Sequence, residues 1–186
     1  MAHINIIDYQ SAQGRLKQIY DEIVAKRGKL AEVHKIQSLN PETIVHHMDL
    51  YMSIMYSKSP LSRAEREMMG VVVSVANGCA YCANHHQEAL NAYWKNPERV
   101  EKLGGKYMEL DLSQRELLLC KYARELTQTP QSFGSNSNIE PLRNAGLDDR
   151  AILDATLVVA YFNFVNRIVL SLGVDLENDK GAGYKY

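Results

Sequence analysis

Residues 62–86 read SRAEREMMGVVVSVANGCAYCANHH, and this stretch decides the fold. Ser62-Arg63-Ala64-Glu65 is a capping box: the serine hydroxyl takes one free helix amide and the glutamate reaches back to another. The run Met68-Met69-Gly70-Val71-Val72-Val73 that follows is apolar on every side, the pattern of a helix buried in a core. Three successive valines also suit a strand. The capping box and the helical neighbours decide for a helix. Asn77-Gly78 then stops it, and a second helix starts near Cys79 and runs to about Tyr93.

Working outward, the helical period continues. From Gly14 to Arg27, Leu16, Ile19, Tyr20, Ile23 and Val24 follow the spacing of an amphipathic helix. A further helix spans Pro41 to Ser57, with the proline in its first turn. Ser113-Gln114-Arg115-Glu116 is a second capping box, with Leu112 and Leu117 placed as a hydrophobic staple, and its helix ends near Thr127. Gln128 to Asn138 is a polar loop. Leu147-Asp148-Asp149 opens the last long helix, to about Leu172, and the tail from Gly173 reads as weakly ordered. Trp94-Lys95-Asn96-Pro97 reads as a helix end and a turn. The expected class is all-α: one helical domain over residues 1–186, a cysteine-bearing core over about 41–175, and a peripheral N-terminal arm and C-terminal tail.

Composition narrows the function. The 186 residues are 46% hydrophobic and 23% charged, as in an ordinary water-soluble domain. The formal net charge of −1 provides no long-range field to gather nucleic acid or an anionic membrane. The apolar stretch from Leu157 to Leu170 is broken by Asn163, Asn166 and Arg167, too polar to span a bilayer. Met1 to Asp8 lacks the basic start and apolar run of a secretion signal, so the expected location is cytoplasmic. Three cysteines, an odd and low number, argue against a secreted disulfide framework.

The chemistry concentrates at Cys79-Ala80-Tyr81-Cys82-Ala83-Asn84-His85-His86. With Cys79 in the first turn of a helix, Cys79, Cys82 and His86 share one face. The helix N-terminus favours thiolate over thiol, and His86 can relay a proton. The bland reading is that the cysteines fill core space. Zinc is a further reading, but it needs four ligands and no second CxxC or HxxxH follows. His85 points about 100° away from His86 and fits neighbour packing or the surface. Glu67, taken alone, is a helix-start acid favoured by the dipole or a functional group ahead of the apolar run. Cys120, flanked by leucines, reads as core. His46 and His47 read as structural or exposed.

The pattern of Glu67, eleven residues, Cys79-Ala80-Tyr81-Cys82, three residues and His86 resembles the active-site signature of alkyl hydroperoxidase D and the wider carboxymuconolactone decarboxylase-like family. Leu112-Ser113-Gln114-Arg115-Glu116, Ala145-Gly146-Leu147-Asp148-Asp149 and Val158 to Arg167 are similar to the peroxidase-related branch. The resemblance covers roughly Pro41 to Asp175. It implies an all-α fold assembled into homotrimers or homohexamers. It implies that Cys82 attacks a hydroperoxide, that Cys79 resolves the sulfenic acid into a disulfide, and that His86 and Glu67 relay protons. No metal or organic cofactor is implied; the partners are a hydroperoxide substrate and a thiol or dithiol reductant. One departure stands out: alkyl hydroperoxidase D has a histidine where this chain has Tyr81, which can donate a hydrogen bond but cannot shuttle protons near neutrality. The alternatives left open are a non-peroxidatic dithiol oxidoreductase or redox sensor, a zinc-binding interaction module, and a decarboxylase-like enzyme, although carboxymuconolactone decarboxylases lack the CxxC pair.

Overall fold

The computed structural model describes residues 2–134 and 138–177. Its helices in chain order are α1 (Gly14–Arg27), α2 (Glu32–Lys35), α3 (Pro41–Tyr56), α4 (Arg63–Ala76), α5 (Ala80–Trp94), α6 (Pro97–Lys106), α7 (Gln114–Gln128), α8 (Glu140–Asn144) and α9 (Asp149–Leu172), with 3-10 turns at Tyr107–Glu109 and Pro130–Phe133. No strand occurs among the described residues, and the chain has the all-α class expected.

α4 is the centre of the fold. Ser62 Oγ accepts the Glu65 amide at 3.1 Å, and Glu65 Oε2 accepts the Ser62 amide at 2.7 Å, closing the capping box. Every residue from Arg66 to Ser74 is buried. α3, α5, α6, α7 and α9 all pack against this helix, so the valine run serves helix packing on several sides rather than a sheet. Gly70 lets α9 approach: a Cβ there would lie 2.5 Å from the Phe162 ring. Gly78 takes a φ of +69°, the left-handed conformation that turns the chain from α4 into α5.

α9 is capped by Asp148, which accepts the Ala151 amide at 2.8 Å. By length and composition alone it passes as a possible membrane span, contrary to the sequence-based reading of this stretch as too polar. Its polar residues are bonded inside the fold. Asn77 Nδ2 donates to Asn163 Oδ1 at 3.1 Å and to Asn166 Oδ1 at 2.9 Å. Asn166, fully buried, donates to Ser74 Oγ at 3.3 Å. These bonds pin the end of α4, just before the turn into α5, to α9. α1 forms a second apolar cluster, Leu16, Ile19, Tyr20 and Ile23, against Ile44 of α3.

Three differences from the sequence-based reading stand out. α2, α6 and α8 are additional short helices. Within the expected loop 128–138, Pro130–Phe133 forms a 3-10 turn, and residues 135–137 lie outside the described residues. The tail is not loose as far as Glu177, whose carboxylate accepts the Glu32 amide at 3.0 Å; residues 178–186 lie outside the described residues.

Candidate redox site

Cys79 is the N-cap of α5, one position before the first turn expected for it. Cys82 follows in that turn and His86 one turn later. Both thiols are buried and free, three residues apart at the start of α5, and each acts on the acidity of the other. The interaction sets the two acidities apart. Cys79 is lowered from its ordinary value, first by the hydrogen bond from Cys82 and also by the Cys82 amide. Cys82 is raised well above it, by donating that bond and by burial, while Asn166 pulls the other way. Once a first proton has left, the pair shares the second, and only one sulfur is readily ionised at a time.

Glu67 and His86 meet as the spacing suggested. His86 Nδ1 donates to Glu67 Oε2 at 2.6 Å. The Glu67 side chain is fully enclosed, and Arg63, one turn earlier, donates to its other oxygen through Nε at 2.8 Å and through Nη2. Burial alone would raise the carboxyl, but His86 and Arg63 outweigh it and hold Glu67 below the usual carboxylate range. An ionised Glu67 keeps the His86 proton on Nδ1 and leaves Nε2 as a base. Arg63 was not singled out in the sequence, although its i, i+4 spacing to Glu67 was available.

Cys82 and His86, but not Cys79, line a half-open cavity of about 80 Å³. Its other walls include His34, His47, Tyr51, Tyr161 and Val165. His47 takes the structural side of its sequence-based reading, not the exposed one. It is buried, with its Nε2 at 2.8 Å from Tyr161 Oη, because Ile44, His47 and Met55 share the inward stripe of α3. That periodicity was legible; the partner 114 residues away was not.

Tyr81 and His85 are tied to the tail. Tyr81 Oη donates to Glu177 Oε1 at 2.8 Å and accepts the Val33 amide at 3.3 Å. The His85 ring lies 4.3 Å from the Tyr81 ring. Its Nδ1 donates to the Tyr81 carbonyl at 2.9 Å, and its Nε2 is 3.0 Å from Glu177. Neighbour packing or the surface was the expectation for His85, with a supporting role at the site left open for it and Tyr81; its carboxylate partner Glu177 had no local signal. Cys120 is fully buried, and burial pushes its thiol far above the ordinary value, as suits a core residue. Among the described residues no three His, Cys, Asp or Glu side chains converge as a metal-ligand set.

The chain has the all-helical fold of the alkylhydroperoxidase AhpD core, and the segment at residues 46–103 matches the model of the carboxymuconolactone decarboxylase family. Glu67, Cys79, Cys82 and His86 all fall within the segment. Among solved structures, the chain is similar to an uncharacterized peroxidase-related protein with this core from Ralstonia eutropha JMP134, with a TM-score of 0.86, 22% identity, and 97% of this chain and 94% of the other covered. An uncharacterized peroxidase-related protein from Silicibacter sp. TM1040 gives a TM-score of 0.82 at 27% identity, covering 91% and 88%. The debrominase Bmp8, in complex with 2,3,4-tribromopyrrole, gives 0.78 at 16% identity, covering 98% and 97%.

Proposed function

We propose that this chain is a thiol-dependent peroxidase that reduces hydroperoxides through a Cys79–Cys82 disulfide, with His86 and Glu67 as its proton relay. One observation carries the reading: of the two cysteines only Cys82 lines the cavity, beside a histidine whose tautomer a buried carboxylate fixes. His86 Nε2 takes the first proton of the pair. The charge rests on Cys79, the more acidic of the two; attack follows when the remaining proton passes from Cys82 to Cys79, because Cys82 is the one that faces the substrate. The Cys82 thiolate attacks the terminal peroxide oxygen, the O–O bond breaks, and an alcohol and a sulfenic acid result. The Cys79 sulfur then displaces water from the sulfenic acid, and a thiol or dithiol partner reduces the disulfide. No step calls on a metal or organic cofactor. The peroxidase-related relatives and the carboxymuconolactone decarboxylase family segment support an enzyme of this broad kind.

A second reading is a dithiol reductase of a small aromatic molecule. The ring-rich cavity wall favours it, and the fold neighbour that binds 2,3,4-tribromopyrrole is a debrominase. Stoichiometric alkyl hydroperoxide separates the two. The peroxidase should lose two thiols per chain rapidly, Cys82→Ser none, and Cys79→Ser should stop at a dimedone-trappable sulfenic acid. Glu67→Gln and His86→Ala should each slow oxidation about 10²–10⁴-fold, with the double variant resembling the worse single. A wild type inert to peroxide, or a Cys82→Ser variant that still turns over, overturns the proposal. The latter result would point to cysteine-independent, decarboxylase-like chemistry.

A further inference from the structure

Beyond the cysteines and the His86–Glu67 pair, the cavity wall carries a second polar chain with a defined direction. Gln37 Nε2 lies 2.7 Å from the Val33 carbonyl oxygen and 2.9 Å from His47 Nδ1. Only a nitrogen can face that carbonyl, so the amide orientation is fixed and both its hydrogens are committed. His47 Nδ1 is therefore an acceptor. Burial holds His47 at a pKa of about 4, so near neutrality it carries one proton, on Nε2. That N–H donates to Tyr161 Oη at 2.8 Å. Tyr161 Oη has accepted one bond and keeps its own hydrogen to give, and it has no other hydrogen-bond partner among the described residues. The Tyr161 side chain lines the same cavity as Cys82, close enough for the two to sense each other's charge.

We propose that Tyr161 is a catalytic hydrogen-bond donor to the leaving oxygen of the hydroperoxide, with His47 and Gln37 as positioning residues that aim it. This deepens the peroxidase reading and rests on it. When the Cys82 sulfur takes the terminal oxygen, the O–O electron pair departs on the alkoxide. A donor already aimed at that oxygen stabilises the charge without reorganising. Tyr161 keeps its proton throughout; the proton that completes the alcohol is the one His86 took from the thiol pair. Cys82, readied by the base on α5, takes the terminal oxygen, while the donor on α9 stabilises the leaving one.

The test compares two electrophiles on Cys82. Tyr161→Phe deletes only the hydroxyl. Oxidation by an alkyl hydroperoxide should slow roughly 10²–10³-fold, whereas alkylation by iodoacetamide, whose iodide leaves unaided, should change less than threefold. With a peracid, whose carboxylate also leaves readily, the loss should shrink to tenfold or less. His47→Gln, which retains an N–H donor, should keep more peroxide activity than His47→Leu. If the wild type is oxidised but Tyr161→Phe matches it, or is slowed equally toward iodoacetamide, the donor role is overturned and the peroxidase reading stands. If Tyr161→Phe does not fold, the His47 pair decides: equal peroxide rates for Gln and Leu overturn the aiming chain. If the wild type resists hydroperoxide altogether, the parent reading has failed.

Discussion

At the scale of single residues, the site is held by side chains whose charge state the fold dictates, and this makes stability depend on pH. Burial, and then the neighbouring His47, push His34 down to about 3, and burial pushes His47 down to about 4, both from 6.5. Below about pH 6.5 the unfolded chain takes up protons that the folded chain refuses. The stability the two neutral imidazoles contribute is therefore present above pH 6.5 and lost as pH falls toward 4. By pH 5 the loss should be about 2 kcal/mol per histidine. A second, separate loss should follow below about pH 4.5. There Glu67, held low by His86 and Arg63 against its burial, and Glu177, at about 2 because its bonds to His85 and the Glu32 amide outweigh burial, take up protons more readily unfolded than folded. Urea unfolding at pH 7.5 and pH 5 checks the first step. Equal free energies at the two values would mean that the histidines are not buried and neutral, and His34→Gln should remove about half of the difference.

At the scale of elements, the site depends on the closeness of α4 to α9. Gly70 permits it, and the Phe162 ring it touches stands edge-on to His86 with centroids 4.4 Å apart. Gly70→Ala should cost about 1–3 kcal/mol, as overpacking does, and should slow peroxide reduction by moving the ring that backs the base. Gly105 of α6 has open space around it, so Gly105→Ala should be neutral or stabilise by up to about 1 kcal/mol. Thermal unfolding of both variants is the check; a Gly70→Ala protein as stable as the Gly105→Ala one would refute the tight approach. The elements that sequence exposed were those with their own local signals. Ser62, Ser113 and Asp148 announce the starts of α4, α7 and α9, and Asn77-Gly78 announces the turn. α6 escaped although Asn96 caps it and Pro97 opens it, because that signal was absorbed into a turn and the helix buries only a few side chains. α2 and α8 are about one turn each and lean on the rest of the fold. The site divides the same way. Cys79, Cys82 and His86 share one helix and were legible as spacing, and Glu67 was legible only through the resemblance. His47–Tyr161 and Tyr81–Glu177 join residues about a hundred positions apart, which no local pattern encodes.

At the scale of the whole molecule, the surface argues for assembly. The family resemblance implies homotrimers or homohexamers, and the run from His47 to Tyr56 is rich in Met and Tyr, which suits either an interface or the chain's own core. Much of that run faces inward: His47 and Met55 are buried, and Leu50 and Met52 are its large exposed apolar residues. A better patch lies on α9, where Leu153, Leu157 and Phe164 recur at steps of four and seven and are 54%, 39% and 46% exposed. Exposed apolar residues in such a stripe are the usual sign of a protein contact, and an interface of standard size buries roughly 1,200–2,000 Å². We propose a homo-oligomer built on this stripe. Phe164 also stands edge-on to His47 at 5.6 Å, so a neighbouring chain over Phe164 would press on the residue that aims Tyr161. Light scattering at micromolar concentration should give a trimer or hexamer for the wild type. Leu157→Glu, which puts a charge in the middle of the stripe, should give a folded smaller species with unchanged helical content and a reduced rate of peroxide reduction. A wild-type monomer at that concentration would defeat the assembly. A Leu157→Glu protein that keeps the wild-type mass would move the interface off α9 and cut its link to the site.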